Sequence, residues 1–451
     1  MRVARFVLAL LGACALASSV VLAELEPAKA PTLTVATETL PNGLRVIVSP
    51  DPSVSSVVVH VRYGGGASVD RPGNTGYAHL VERLLSAGTV HGKPGEFDAR
   101  IEAAGGFASS VTTVDHTSVF EQVSAGGLEL ALFLEAERMA GLADGIREDE
   151  LAKAKAAIAA EFRAAYVEQP FGLVERWLCQ ELRNTAYAKD PLGNGTDLDT
   201  ATLASVRAFA REYIVPANAT LVIVGRVEPR NALALARRYF GWIPAGSPLT
   251  APVMPLVARP VEEPRLYKPR TSWPTFDDPV AKVVVGYAPG DRSSDSFVQL
   301  KIAARVLAGA RSSRLVRALV DQGLATDVRA EVIRAAGAAE LHITVLPTEG
   351  TNLFELGKKI RREVAGLANT TDEEHHRAAL AAAQDLVAAV ENLAFRADAL
   401  ASWQAYDREA NHLDAELELI RGARTSDLHR TARLLGERYG IVAVGRPQET
   451  P

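Results

Sequence analysis

The sequence predicts a chain of mixed strands and helices that folds as two copies of one unit. Three observations point there. Short Val-rich stretches of strand character share the chain with longer stretches of helical periodicity. The segment 246–263 carries Pro248, Pro252, Pro255 and Pro260 with little periodicity, which marks a linker. Across that linker the chain repeats itself. Val57-Val58-Val59 has a counterpart in Val283-Val284-Val285, and Leu84-Leu85-Ser86-Ala87-Gly88 in Arg305-Val306-Leu307-Ala308-Gly309. Ile223-Val224-Gly225-Arg226 is matched by Ala443-Val444-Gly445-Arg446. These pairs lie roughly 220–226 residues apart, which fits duplication of one ancestral unit.

The first copy reads element by element. Residues 24–34 form an extended leader. Thr39-Leu40 and Leu44 to Val48 flank Pro41-Asn42-Gly43, and Asn-Gly between apolar runs is the strongest short-range hairpin signal. Val57 to Val61 is a buried strand that Gly64-Gly65-Gly66 breaks. Phe97 to Ala104 is a short helix, and Ser109 to Gln122, rich in Thr, Ser and Val, supplies two strands. Leu128 to Met139 is helical. A longer helix runs from Glu148 to Tyr166 with Leu151, Ile158 and Phe162 on its apolar side, and Pro170 and Gly172 end it. Thr200 to Tyr213 is one more helix, and Pro216-Ala217-Asn218 leads into the strand Thr220 to Val224.

Composition narrows the function. With 48% hydrophobic and 23% charged residues the chain is ordinary for a globular protein, and 451 residues allow two or three cores. A net charge of −5 without any long basic run argues against a nucleic-acid surface. Residues 1–23 read as an export signal: Arg2 and Arg5, then a short apolar core, then Val21-Leu22-Ala23 as cleavage site. The expected location is periplasmic or secreted. Leu11-Gly12-Ala13-Cys14 resembles a lipobox, so lipid anchoring through Cys14 is the rival reading. After cleavage at Ala23 the single thiol Cys179 remains and no internal disulfide can form. No later apolar run reaches the ~20 residues a transmembrane helix needs.

The stretch with chemistry in it is Asn74 to Thr89. Read as a helix, it puts Leu80, Val81, Leu84 and Leu85 on one side and His79, Glu82, Arg83 and Ser86 on the other. It nearly spells His-x-x-Glu-His, in which two His one turn apart bind zinc and the Glu acts as general base. Arg83 stands where the second His belongs.

With these residues in view, the chain resembles the pitrilysin/insulinase family of zinc peptidases, of the two-domain bacterial and mitochondrial-processing-peptidase type. The resemblance spans residues 35–447. Its pieces are Leu40-Pro41-Asn42-Gly43-Leu44, Gly76 to Leu85 with Gly88-Thr89, Ile101 to Thr117, Asp190-Pro191-Leu192-Gly193, Ile214 to Gly225, and Ser312-Ser313-Arg314-Leu315 with Gly323-Leu324-Ala325. It implies an α+β fold of two homologous domains, 35–245 and 264–447, each a mainly antiparallel six-stranded sheet packed with helices. It also implies that zinc is held by the two His and by a Glu on a long helix, a place matched by Glu161, 78 positions beyond Arg83. The chain departs elsewhere too. Ala154 replaces a supporting Glu, and Ser109-Ser110 replaces the Asn-Ala of the strand that holds the substrate backbone. Leu319 and Thr326 replace an Arg and a Tyr that grip substrate from the second domain.

A catalytic zinc needs three protein ligands and a water. A guanidinium has no lone pair to offer and stays protonated, so Arg83 blocks the site. His79 and Glu161 are then vestigial ligands, Glu82 a vestigial general base, and no cofactor is expected. The expected role of Arg83 is to pair with Glu161, Glu82 or both in place of the ion. Function follows as an inactive peptidase homologue, a structural or substrate-binding subunit beside an active family member or a second copy of itself. The alternative is an active zinc metalloendopeptidase using His79, Glu82, Glu161 and a further ligand.

Overall fold

The computed structural model describes residues 32–168, 172–182, 187–247, 275–277, 281–288, 294–335, 338–437 and 441–446. The export signal with Cys14, and residues 248–263 of the linker, lie outside the described residues. The first half runs β1 (Ala36–Thr39), β2 (Arg45–Pro50), β3 (Ser56–Gly64), α1 (Tyr77–Arg83), α2 (Glu96–Ala103), β4 (Phe107–Thr112), β5 (His116–Ser124), α3 (Leu128–Gly145), α4 (Glu148–Arg163), α5 (Gly172–Leu182), α6 (Gly195–Thr200), α7 (Leu203–Tyr213), β6 (Ala219–Gly225) and α8 (Pro229–Phe240). The second runs β7 (Thr275–Asp277), β8 (Lys282–Tyr287), α9 (Ser294–Ala308), β9 (Ala325–Ala335), β10 (Ala338–Pro347), α10 (Leu353–Gly366), α11 (Asp372–Glu391), α12 (Leu393–Tyr406), α13 (Leu413–Gly422), α14 (Thr425–Glu437) and β11 (Ile441–Arg446).

The first sheet has the order β1-β2-β6-β3-β5-β4, with β2 and β6 parallel and every other pair antiparallel. The second has the order β7-β11-β8-β10-β9, again with one parallel pair, β7 and β11. Position by position, β2, β6, β3, β5 and β4 correspond to β7, β11, β8, β10 and β9. The place of a sixth strand, before Thr275, lies outside the described residues. The repeated Val triplets sit in β3 and β8, and the repeated Val-Gly-Arg strings begin in β6 and β11. The hairpin forms at Asn42-Gly43, pairing Thr39 with Arg45. Gly43 takes φ +86, and the Asn42 amide donates to the carbonyls of Phe240 and Ile243, tying the turn to the end of α8.

One face of the first sheet carries the main core. Val57, Val59 and Val61 of β3 alternate inward onto Leu80 and Leu84, onto Leu132 of α3 and onto Tyr213 of α7. The opposite face is covered from the other half of the chain. Helix α12 lies against β3 and β6, while α5 of the first half lies against β8 and β11. Val174 and Leu178 of α5 bury themselves against Val284 and Ala443. Each half thus lends the other one helix, and the two lent helices hold equivalent places in the repeat.

Several elements differ from expectation. The helix read across 74–89 is regular only over Tyr77–Arg83 and tightens into a 3₁₀ turn at Leu84–Ser86. Gly88, at φ +89 and with its Cβ position against Gly92, Lys93 and Pro94 backbone, turns the chain away. The helix expected over 200–213 is α7, which starts only at Leu203, and the short α6 that precedes it has no counterpart in the expectation. The Thr202 hydroxyl and Ser205 form a reciprocal cap that starts α7. Helix α3 extends to Gly145, and the long helix from Glu148 ends in a π-helical turn, Ala164–Glu168. Among the described residues no single helix is long and apolar enough to cross a membrane.

Candidate functional site

The site is assembled on α1, α4 and β4. Helix α1 starts at Gly76, whose φ of +87 suits only glycine and whose Cβ position lies 3.1 Å from Gly193 Cα. Its first backbone N–H groups are satisfied from a distance. The buried Asp70 carboxylate accepts from the N–H of Gly76 at 2.7 Å and of Ala78 at 3.0 Å. Burial pushes the Asp70 pKa up to about 7, against those bonds and the Lys189 charge. Asp197 of α6 accepts from the Thr75 N–H and hydroxyl, so the start of α6 clamps the same end. Helix α4 is held at its other end. Arg176 lies over the rings of Phe162 and Tyr166 and pairs with Asp190 at 2.6 Å, and the Tyr166 hydroxyl donates to Asp190.

These supports bring five side chains into one chain of contacts. The Ser110 hydroxyl donates to Glu82 Oε1 at 2.6 Å. Glu82 Oε2 meets His79 Nδ1 at 2.8 Å, and His79 Nε2 meets Glu161 Oε2 at 2.8 Å. The other oxygen of Glu161 forms an ion pair with the Arg83 guanidinium, Nη2 to Oε1 2.7 Å. The polar side of the helix is largely out of water: His79 is 7% and Glu82 3% exposed. Both ring nitrogens of His79 face carboxylates, and both donate only when the ring is protonated. Burial opposes that charge, but Glu82 and Glu161 outweigh it and raise the His79 pKa above its ordinary value. Burial likewise pushes Glu82 up, yet His79, Ser110 and Thr112 prevail and hold it below the usual carboxylate range.

A zinc ion fits these residues poorly. Both nitrogens of the one histidine are engaged by carboxylates, and a cation sits on Glu161 where a second imidazole would be needed. Among the described residues no group of three or more His, Cys, Asp or Glu is placed to hold a metal. Arg83 pairs with Glu161 alone; Glu82 keeps Ser110 and His79. Ala154 is buried, and places no carboxylate two helical turns before Glu161. Leu319 is fully buried, and the Thr326 hydroxyl donates to the Leu346 carbonyl. Ser109 and Ser110 lie on β4, the free edge of the sheet, with only Ser110 reaching the site.

Two histidines behave otherwise than their sequence context suggests. His375, in an acidic stretch that reads as solvated, is buried on α11. His116, for which no acidic partner is expected, pairs with its neighbour Asp115 at 2.9 Å. That pair belongs to a buried network unreadable in sequence, because its partners come from the lent helix. Tyr406 of α12 bonds both Asp115 and Arg62, and Arg62 lies over its ring. Asp70, 9 positions before His79, was equally silent. Its signal, an acid shortly before a Gly-started helix, is too common to stand alone.

Comparison with known proteins adds the following. The family profile described as "Insulinase (Peptidase family M16)" matches residues 45–198, and "Peptidase M16 inactive domain" matches 200–382. The second match begins beyond His79, at residue 200. The chain is similar to "Zinc protease PqqE" of Helicobacter pylori, 32% identical over 208 residues. That match covers 45% of this chain and 46% of the relative, less than half its length. It is 23% identical to "Uncharacterized zinc protease Rv2782c" of Mycobacterium tuberculosis, over 90% of this chain and 92% of that one. The fold is similar to a crystal structure of a protease from Helicobacter pylori, with a TM-score of 0.82 and 22% identity. The alignment covers 92% of this chain and 100% of that one.

Proposed function

Because this chain belongs to the pitrilysin/insulinase family of zinc peptidases, we propose that it is an exported, catalytically inactive member that acts as a structural or substrate-binding subunit beside an active partner. The Arg83–Glu161 ion pair carries this reading. The family's fold and helix are retained, while the position of the second zinc ligand holds a cation that already neutralises the third. His79 and Glu161 are then former ligands, Glu82 a former base, and Ser109-Ser110 part of a strand edge still open to a peptide. The partner is a family member with an intact histidine pair, or a second copy of this chain. Export rests on residues 1–23.

The test is zinc content per chain in protein purified without chelator, together with peptide cleavage. Substoichiometric zinc and no cleavage are expected; near-stoichiometric zinc with cleavage refutes inactivity. Affinity capture from the periplasmic fraction tests partnership, and recovery of the monomeric chain alone refutes it. A second reading has one observation in its favour: His79, Glu82 and Glu161 converge within hydrogen-bonding distance, and the relatives above are named zinc proteases. An active endopeptidase needs a further ligand that displaces Arg83, and the zinc measurement separates the two.

A further inference from the structure

The two sheets end in equivalent edge strands that are defended differently. Strand β9 carries Asp327, Arg329, Glu331 and Arg334 along its length, the charged residues by which an edge resists pairing with another chain. Strand β4, Phe-Ala-Ser-Ser-Val-Thr, carries no charge at all. It is also exposed. Phe107 and Val111 are each 51% accessible, and among the described residues β4 has no strand on its outer side. An uncharged, apolar, open edge is a liability unless something covers it.

The register fixes which way each β4 side chain faces. Ala108, Ser110 and Thr112 stand opposite Glu121, Val119 and Thr117 of β5, on the helix-bearing side where Ser110 bonds Glu82. Phe107, Ser109 and Val111 stand opposite Gln122, Phe120 and Ser118 on the other side, and the rings of Phe107 and Phe120 are 5.8 Å apart. A peptide added to this edge alternates its side chains between the same two environments. On the helix side α1 approaches β4 through the Ser110–Glu82 bond, and the next residue, Arg83, is 40% exposed with one nitrogen in its ion pair with Glu161. The remaining donors of that fork have no hydrogen-bond partner among the described residues. On the other side the peptide meets the Phe107–Phe120–Val111 strip.

We propose that Arg83 and this strip act as specificity determinants, selecting an extended peptide with an acidic side chain on one face of its backbone and apolar side chains on the other. This rests on the reading of β4 as a peptide-binding edge, and it gives Arg83 a present use beyond blocking a metal. The bound carboxylate shares the guanidinium with Glu161, a bidentate-capable donor serving two acceptors.

The experiment is fluorescence anisotropy of the full chain with labelled eight-residue peptides that alternate Leu with Ser and carry one central Glu on the Ser face. The expected result is binding that weakens about tenfold when the Glu becomes Lys, the scale of one lost charge-assisted hydrogen bond. Arg83→Met should erase that discrimination while leaving residual binding, and Arg83→Lys should restore part of it. Val111→Asp should weaken all peptides alike. If peptides bind with no charge preference, or Arg83→Met leaves the preference intact, the inference fails while the peptide-binding reading stands. If no peptide binds at all, both fail. If light scattering shows a dimer that Val111→Asp dissociates, the edge belongs to a second copy and the inference is overturned.

Discussion

Arg83→His is the perturbation that the site argument exposes most directly. The substitution places an imidazole one turn from His79 on the same helix face, with Glu161 already 2.8 Å from His79 Nε2. It removes one ion pair whose side chains are 40% and 31% exposed. Discounted for solvent screening, that pair contributes about 0.5 kcal/mol, so the metal-free variant folds with little loss. It also removes the cation that competes for Glu161, leaving two histidines and a carboxylate to hold zinc. At a zinc concentration 100-fold above its dissociation constant the variant gains about 2.7 kcal/mol, while the natural chain gains none. At roughly 1 °C per kcal/mol for a chain of this size, the midpoint rises by about 3 °C with zinc and returns with chelator. Thermal unfolding with and without zinc, with metal analysis after gel filtration, reads the outcome. A variant that takes up no zinc, or a natural chain that shows the same zinc shift, refutes the reasoning.

Three further predictions test the supports around the site. Asp70→Ala leaves the N–H groups of Gly76 and Ala78 buried without an acceptor and should cost about 2–3 kcal/mol in denaturant unfolding, with Asp70→Asn costing less; an Ala variant of unchanged midpoint contradicts the anchoring role. Burial lowers the His60 pKa to about 4, with Arg62 and His116 acting in the same direction and Asp398 against it. The unfolded chain takes up that proton near pH 6.5 while the folded chain resists it. Stability therefore falls as pH drops from 6.5 to 4, by on the order of 3 kcal/mol, and His60→Leu should flatten that limb of the stability curve. Leu178→Ala, at a fully buried contact between a first-half helix and the second sheet, should cost about 2–5 kcal/mol; a loss under about 1 kcal/mol would show that the lent helix adds little.

Much of this molecule is written locally. The hairpin follows from Asn42-Gly43, and the buried strands from their Val runs. The polar grouping of His79, Glu82 and Arg83 follows from helical spacing over a single turn. Helix ends were less legible. The 3₁₀ turn after Arg83 and the π turn after Arg163 break no helical pattern in the sequence, and α7 starts at the Thr202 cap, inside the span that the pattern marks as helix. The burial of His375 was hidden for a similar reason. Its acidic neighbours describe one face of α11, and the chain that covers the other face is remote in sequence.

By itself the sequence determined the strands and most helices, and the presence of a cation where a metal-binding imidazole would stand, because each depends on residues within a few turns of one another; the duplicated plan was legible because short local strings recur. The tertiary structure decided what that cation does. Arg83 had two carboxylates within prospective reach, and only the packing of α4 and β4 against α1 gives Glu161 to Arg83 and Glu82 to Ser110. It also decided the exchange of α5 and α12, and with it the buried Arg62–Asp115–Tyr406 network. Such contacts join residues hundreds of positions apart, whose meeting is set by how two sheets share their helices and by no local pattern.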